Sequence, residues 1–217
     1  MPNWVNNYLD INGSKEDLQS IKDQLNTPFV RQHDNYNMET KQMEAQDVTF
    51  SNPIFAFWNI IKPTNLEAYS KQPDYSLPME EQLKFQGDDW YSWNTRNWGT
   101  KWDVAVSDDT KYATTYLTAF GDDLLAYSYE TAWSPAILAV EHLSKQYPNC
   151  VFTLAFVEEQ GWGGEVIFRN GDMEEVESYD WKCFNCDHKY DEFPELTEDD
   201  ENNGTCPNCR EEVTING

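Results

Sequence analysis

Trp4-Val5-Asn6-Asn7-Tyr8-Leu9-Asp10-Ile11, followed two residues later by Ser14-Lys15-Glu16-Asp17, decides the fold. The first stretch reads as a strand. The second matches a helix capping box, in which side-chain oxygens satisfy the first free amides of a helix. Leu18, Ile21 and Leu25 then recur at helical spacing, and Asn26-Thr27-Pro28 ends the run, so one apolar face is left to lie on a sheet.

Further along, the chain alternates between recognisable elements and breaks. Gln32 to Gln46 is polar and reads as irregular, whereas Val48 to Ile61 is aromatic and β-branched enough for an extended strand or two, broken at Pro53. Lys62 to Gly87 carries three prolines among polar residues, the composition of an insertion lying across a surface. Asp88 to Trp98 has a helical pattern. Trp102 to Val106, Tyr112 to Phe120 and Leu124 to Thr131 read as strands, the last two joined at Gly121-Asp122-Asp123 as a hairpin. Ser134-Pro135 predicts an N-cap with proline in the first turn of a helix whose stripe is Ala136, Val140, Leu143 and Tyr147, ended by Pro148. Cys150 to Glu158 predicts another strand, Gly161 to Gly164 a loop, and Glu165 to Arg169 a last strand running to a turn at Asn170-Gly171. Two helices on one face of a mostly antiparallel sheet make an α+β sandwich.

Composition narrows the function. Fifteen basic against 39 acidic residues give a formal charge of −24, a field that repels phosphate backbones and anionic membrane surfaces and attracts basic partners. Nine Trp, twelve Tyr and eleven Phe supply the apolar area that a disordered acidic chain lacks. The first ten residues have neither a basic nor an apolar stretch, and the longest apolar run, Ile54 to Ile61, falls far short of the roughly 20 residues that span a bilayer. The expectation is a cytoplasmic protein with no secretory signal and no membrane segment.

Cys183-Phe184-Asn185-Cys186 and, nineteen residues on, Cys206-Pro207-Asn208-Cys209 have the spacing of two metal knuckles, each presenting two thiolates to complete a tetrahedron. The expected metal is zinc in a structural role, since four thiolates leave no position for water; rubredoxin-like iron and redox dithiols are the alternatives. Glycine often follows the second cysteine of a knuckle, where the backbone turns left-handed, but here Asp187 and Arg210 stand there. His188 is surplus to a complete ligand set. Cys150 stands apart and reads as a small buried hydrophobe. Residues 172–217 hold fifteen acidic against three basic residues, a net of −12, which argues against a nucleic-acid-binding ribbon.

Met1-Pro2-Asn3-Trp4-Val5-Asn6-Asn7, Trp90-Tyr91-Ser92-Trp93, Asn97-Trp98-Gly99-Thr100-Lys101-Trp102-Asp103 and Thr131-Ala132-Trp133-Ser134-Pro135 resemble the YubB-type ferredoxin-like domain carried by phages and plasmids. The resemblance implies a ferredoxin-like fold and a mobile-element origin, and brings no catalytic residue with it. The expected division is residues 1–172 as this domain, with an insertion around residues 62–101, and residues 173–217 as a zinc ribbon.

No Ser-His-Asp arrangement or histidine cluster is visible among three histidines, and Gly161-Trp162-Gly163-Gly164 lacks the Lys-Ser/Thr pair of a phosphate-binding loop. Trp90, Trp93, Trp98 and Trp102 could stack on bases, but their spacing fits a packed seam better. Resemblance and charge together point to a non-enzymatic protein that occupies a basic host protein, such as a defence or DNA-binding factor, by imitating DNA. A small hydrolase or nucleotide-handling enzyme and an accessory structural phage protein are the alternatives.

Overall fold

The computed structural model describes residues 2–70, 78–80, 89–191 and 203–214. In chain order the elements are β1 (Trp4–Asn12), α1 (Lys15–Leu25), the hairpin β2 and β3 (Phe29–Asn37, Gln42–Phe50), a 3-10 turn (Phe57–Asn59), α2 (Leu66–Ser70) and α3 (Trp90–Trp98). There follow β4 (Thr115–Phe120), β5 (Leu124–Ala132), α4 (Ile137–Gln146), β6 (Val151–Glu158), β7 (Gly163–Arg169) and β8 (Asp172–Tyr179). The tail adds β9 (Trp181–Lys182), β10 (Lys189–Tyr190), β11 (Asn203–Thr205) and β12 (Glu212–Thr214). Among the described residues no helix is long and apolar enough to cross a membrane.

Strand β1 is central because its residues alternate. Val5, Asn7, Leu9 and Ile11 are buried, while Tyr8, Asp10 and Asn12 face outward. It pairs antiparallel with β5 on one side and β6 on the other, in a sheet ordered β4-β5-β1-β6-β7-β8. The path β1-α1-β4-β5-α4-β6 is thus the double split β-α-β of a ferredoxin-like sandwich, extended by β7 and β8. Ser14 caps α1 by accepting the Asp17 amide at 3.1 Å and donating to the Asp17 carboxylate at 2.7 Å. Leu18, Ile21 and Leu25 of α1 join Ala139, Val140 and Leu143 of α4 in one buried cluster with Leu9, Ile11, Phe152 and Phe168. Full burial of such a side chain contributes about 1.5–3 kcal/mol.

Several local expectations are corrected. The polar stretch 32–46 is not irregular: it forms most of the β2–β3 hairpin, a ribbon whose hydrogen bonds need no apolar face. Strand β3 ends at Phe50, and the aromatic stretch beyond it forms the 3-10 turn rather than a second strand. Residues 102–106 are not a strand. Ser134 does not cap α4; its hydroxyl donates to the Gly99 carbonyl at 2.5 Å, and the buried Asn7 Oδ1 accepts the Ala136 amide at 3.3 Å at the start of the helix. Gly163 and Gly164 belong to β7, so the loop is shorter than the glycines suggest. Strand β8 lies beyond the expected boundary at residue 172, yet it pairs with β7 through a turn in which Asn170 and Gly171 have φ of 53° and 84°. The cysteine-bearing unit begins at Asp180, after the sheet ends. Its Trp181 packs where a Cβ on Gly161, at φ 100°, would come within 2.8 Å of the indole. The acidic run Glu198, Asp199, Asp200 and Glu201 lies outside the described residues.

The insertion between α1 and β4 is larger than residues 62–101 and is not confined to the surface. Phe55 meets Tyr127 and Tyr129 at 4.9 Å each, and Trp98, Phe57 and Tyr69 are buried in the main core. Burial pushes both Tyr127 and Tyr129 well above the ordinary tyrosine range. Asp103 is the polar anchor. Its buried carboxylate accepts the amides of Phe57 at 2.8 Å, Trp58 at 3.1 Å and Ala105 at 3.2 Å, with the Arg31 guanidinium 3.7 Å away. Burial pushes its carboxyl up, while Arg31 and these amides pull it back.

Removing the anchor orphans three amides and a guanidinium. Asp103→Ala is expected to lower stability by about 2–4 kcal/mol in urea unfolding, and Arg31→Ala by clearly less, since that side chain reaches solvent. A loss below about 0.5 kcal/mol for Asp103→Ala, the size of an ordinary surface change, would show that the insertion is held by its aromatic contacts alone.

Candidate metal centre

Cys183 and Cys206 open two knuckles of the same construction. The Cys183 amide donates to the His188 carbonyl at 2.9 Å and the Asp187 amide to the Cys183 carbonyl at 2.8 Å. In the second knuckle the Cys206 amide donates to Glu211 at 3.0 Å and the Arg210 amide to Cys206 at 2.8 Å. Each pattern folds the chain back so that two sulfurs point the same way. Asp187 and Arg210, at φ 58° and 62°, occupy the left-handed conformation that glycine takes elsewhere. A side chain there costs roughly 1–2 kcal/mol. A Lys182 ammonium 2.7 Å from the Asp187 carboxylate braces the first turn and holds that carboxyl below its usual range.

The four sulfurs of Cys183, Cys186, Cys206 and Cys209 lie within 4.8 Å of one another. Two pairs between the knuckles, Cys183 with Cys209 and Cys186 with Cys206, are 3.8 and 3.9 Å apart. A tetrahedral ion with metal–sulfur bonds of about 2.3 Å needs sulfurs about 3.8 Å apart, so the donor set fits a four-thiolate metal. Donors favour the ionised form of two sulfurs, Asn208 Nδ2 at 3.4 Å from Cys186 and the Tyr190 hydroxyl at 3.6 Å from Cys206, whereas burial raises the Cys183 thiol and the neighbouring cysteine sulfurs help to raise that of Cys209. Burial opposes ionisation of Cys206, but the amides of Cys209 and Asn208 and the Tyr190 hydroxyl outweigh it and bring the thiol to about 6. Beneath the site Trp181 and Tyr190 pack at 5.3 Å, a small apolar floor under Cys183 and Cys206.

His188 is outside the ligand set. Its ring meets Tyr190 edge-on at 4.6 Å, and its carbonyl closes the first knuckle. Cys150 is buried beside Gly13, where burial raises its thiol. Of the four tryptophans weighed as a seam, Trp98 is buried and Trp93 packs edge-on to it at 5.4 Å, with Trp90 beside the same core. Trp102 departs from that expectation. It is 37 % exposed and lies near Trp4, with ring centroids 6.0 Å apart. The spacing of the tryptophans contains no signal for this, because Trp4 reaches Trp102 only through the folded sheet.

Residues 100–200 match a family described as the ferredoxin-like domain in Api92-like protein, so a ferredoxin-like domain is present. The crystal structure of a protein api92 from Yersinia pseudotuberculosis is similar at a TM-score of 0.46 and 9 % identity, over 84 % of this chain and 99 % of that one. No curated protein matches the chain.

The geometry predicts one bound metal ion per chain. Cys206→Ser is expected to weaken binding by more than about a hundredfold, beyond what loss of an outer hydrogen bond does, while the far-ultraviolet signal of the sheet persists. Arg210→Gly, which relieves the left-handed side chain, is expected to keep full occupancy. Cobalt loading followed by thiolate charge-transfer absorption measures both; an Arg210→Gly protein that cannot bind would refute the knuckle geometry.

Proposed function

We propose that this chain is a non-enzymatic, acidic protein of a phage or plasmid that binds a basic host protein in the cytoplasm, and that its four-cysteine site holds zinc as a structural ion. The charge carries the proposal. A surplus of −24 leaves few lysines and arginines to neutralise phosphate, and suits a partner whose own surface is basic. The acid is also organised: the edge strand β8 presents Asp172, Glu174 and Glu175 to solvent, with Glu177 half-buried beside them. Of these, Glu174 meets Arg169 at 3.4 Å and Glu177 meets Lys189.

The YubB-type resemblance supports a mobile-element origin, and with it a partner of the kind that recognises or cuts foreign DNA. Carboxylates spaced along an exposed edge can take the place of phosphates opposite lysine and arginine, which is imitation of DNA. A closed set of four thiolates suits a zinc ion that folds a tail too small to hold a core of its own. In this reading the ribbon supplies shape and charge, and the ferredoxin-like sheet supplies rigidity.

Three measurements test the reading. Gel shifts with duplex DNA and with RNA at physiological salt are expected to show no complex, and low-micromolar binding would overturn the charge argument. Elemental analysis is expected to find zinc; iron with rubredoxin-like absorption would replace it. Once a partner is captured, it is expected to lose its own nucleic acid as this protein binds, with affinity falling steeply between roughly 50 and 200 mM salt. Simultaneous binding of both, insensitive to salt, would mean that the contact is not DNA imitation.

A further inference from the structure

Outside the metal centre, the outward face of the sheet meets the segment before β4 in a groove of about 110 Å³ lined by Trp4, Trp102, Tyr112 and Glu130, with Asp103 and Thr131 at its base. No lysine or arginine lines it. Of its two carboxylates, Asp103 is consumed by three amides and Arg31. Glu130 is different: it sits opposite Asn6 in the sheet, half-buried, with no hydrogen-bond or ion-pair partner among the described residues. A half-buried carboxylate with no protein partner leaves its oxygens available to a cation that enters the groove.

The walls are suited to the same kind of guest. Trp4, Trp102 and Tyr112 give the groove aromatic walls; outside it, the Lys101 ammonium lies 4.5 Å from the Trp102 ring centroid and 4.4 Å from that of Trp133, which shows that the Trp102 ring accepts a cation. Trp133 is held in the open at φ 71°, with its amide bonded to the Asn3 carbonyl at 2.9 Å. Tryptophan in that conformation is strained, yet the fold keeps the ring 46 % exposed beside Lys101. Aromatic rings set near an unpaired carboxylate complement a flat, delocalised cation better than a compact one, because a guanidinium stacks on a ring and forks to a carboxylate at once.

We propose that the groove between Trp4, Trp102 and Glu130 receives the guanidinium of an arginine side chain presented by a protein partner. This deepens the reading of a basic partner and rests on it: the acidic surface attracts the partner, and the groove gives one arginine a fixed seat.

The test uses the full metal-loaded chain and four peptide probes. Acetyl-Gly-Arg-Gly-amide at millimolar concentration is expected to shift the indole N–H resonances of Trp4 and Trp102, the citrulline analogue to leave them still, and the lysine analogue to bind several-fold more weakly. Glu130→Gln and Trp102→Leu are each expected to weaken the arginine peptide about tenfold, the loss of one charge-assisted or cation–π contact. Glu174→Gln with Glu175→Gln, which neutralises the distant edge strand, is expected to change it less than about twofold, as screening at physiological salt requires. Thermal melts check that each variant is folded. Equal binding by the wild type and Glu130→Gln, or equal shifts from arginine and citrulline, would overturn the groove. Hexa-arginine separates that failure from the wider one: if it binds while the single-arginine peptide does not, the acidic surface acts without a seat, and if neither binds at physiological salt the basic-partner reading falls as well.

Discussion

A ferredoxin-like sheet has no free position for the long segment between α1 and β4, so that segment has to be fastened to a core it joins only through side chains. Asp103 does the fastening. One buried carboxylate gathers amides from the 3-10 turn and from its own strand-like stretch, and reaches a guanidinium from the β2–β3 hairpin. Hydrogen bonds to a charged acceptor are roughly twice as strong as neutral ones, and here they converge where three pieces of chain would otherwise leave amides unsatisfied. The aromatic contacts of Phe55, Phe57 and Trp98 then exclude water from the junction. The groove beside Trp102 exists because this anchor holds residues 102–106 against the sheet without letting them pair into it.

The same anchor explains why part of the fold was legible and part was not. The β1–α1 pair can be read from residues because alternation, the Ser14 cap and the Leu18-Ile21-Leu25 stripe all agree locally. Residues 102–106 have strand composition, but the Ala105 amide is claimed by the Asp103 carboxylate and the Val106 amide by the Pro53 carbonyl instead of a neighbouring strand. The hairpin over Phe29–Phe50 fails in the opposite direction, since a ribbon outside the main sheet carries no buried-face pattern over much of its length. Ser134 shows a third kind of failure. The cap chemistry is real, but Asn7, more than a hundred positions away in sequence, reaches the helix start first.

The clustering of the four cysteines was legible in their spacing, because a knuckle is a local object: four residues and a few amide bonds set it, whatever the rest of the chain does. Even the departure at Asp187 and Arg210 was readable as a position that turns left-handed, and the structure places both residues there. The exposed tryptophans were not legible in this way. Trp102 and Trp98 share a motif, yet Trp98 closes on Phe57, Trp93 and the Ile61 carbonyl while Trp102 meets Trp4 of β1 and walls a groove.

Charge ties these features together. From Asp180 onward the chain holds eleven acidic against three basic residues, a net of −8 that opposes its own compaction. A metal held by the four cysteines would have to supply more than a missing hydrophobic core; its bonds would also have to outweigh the repulsion of the carboxylates around them. That balance makes sense of Lys182 and Lys189, two of only three basic residues in the tail, which are spent on Asp187 and Glu177 next to the first knuckle. Cations placed there relieve repulsion beside the left-handed turn at Asp187, where the first knuckle closes.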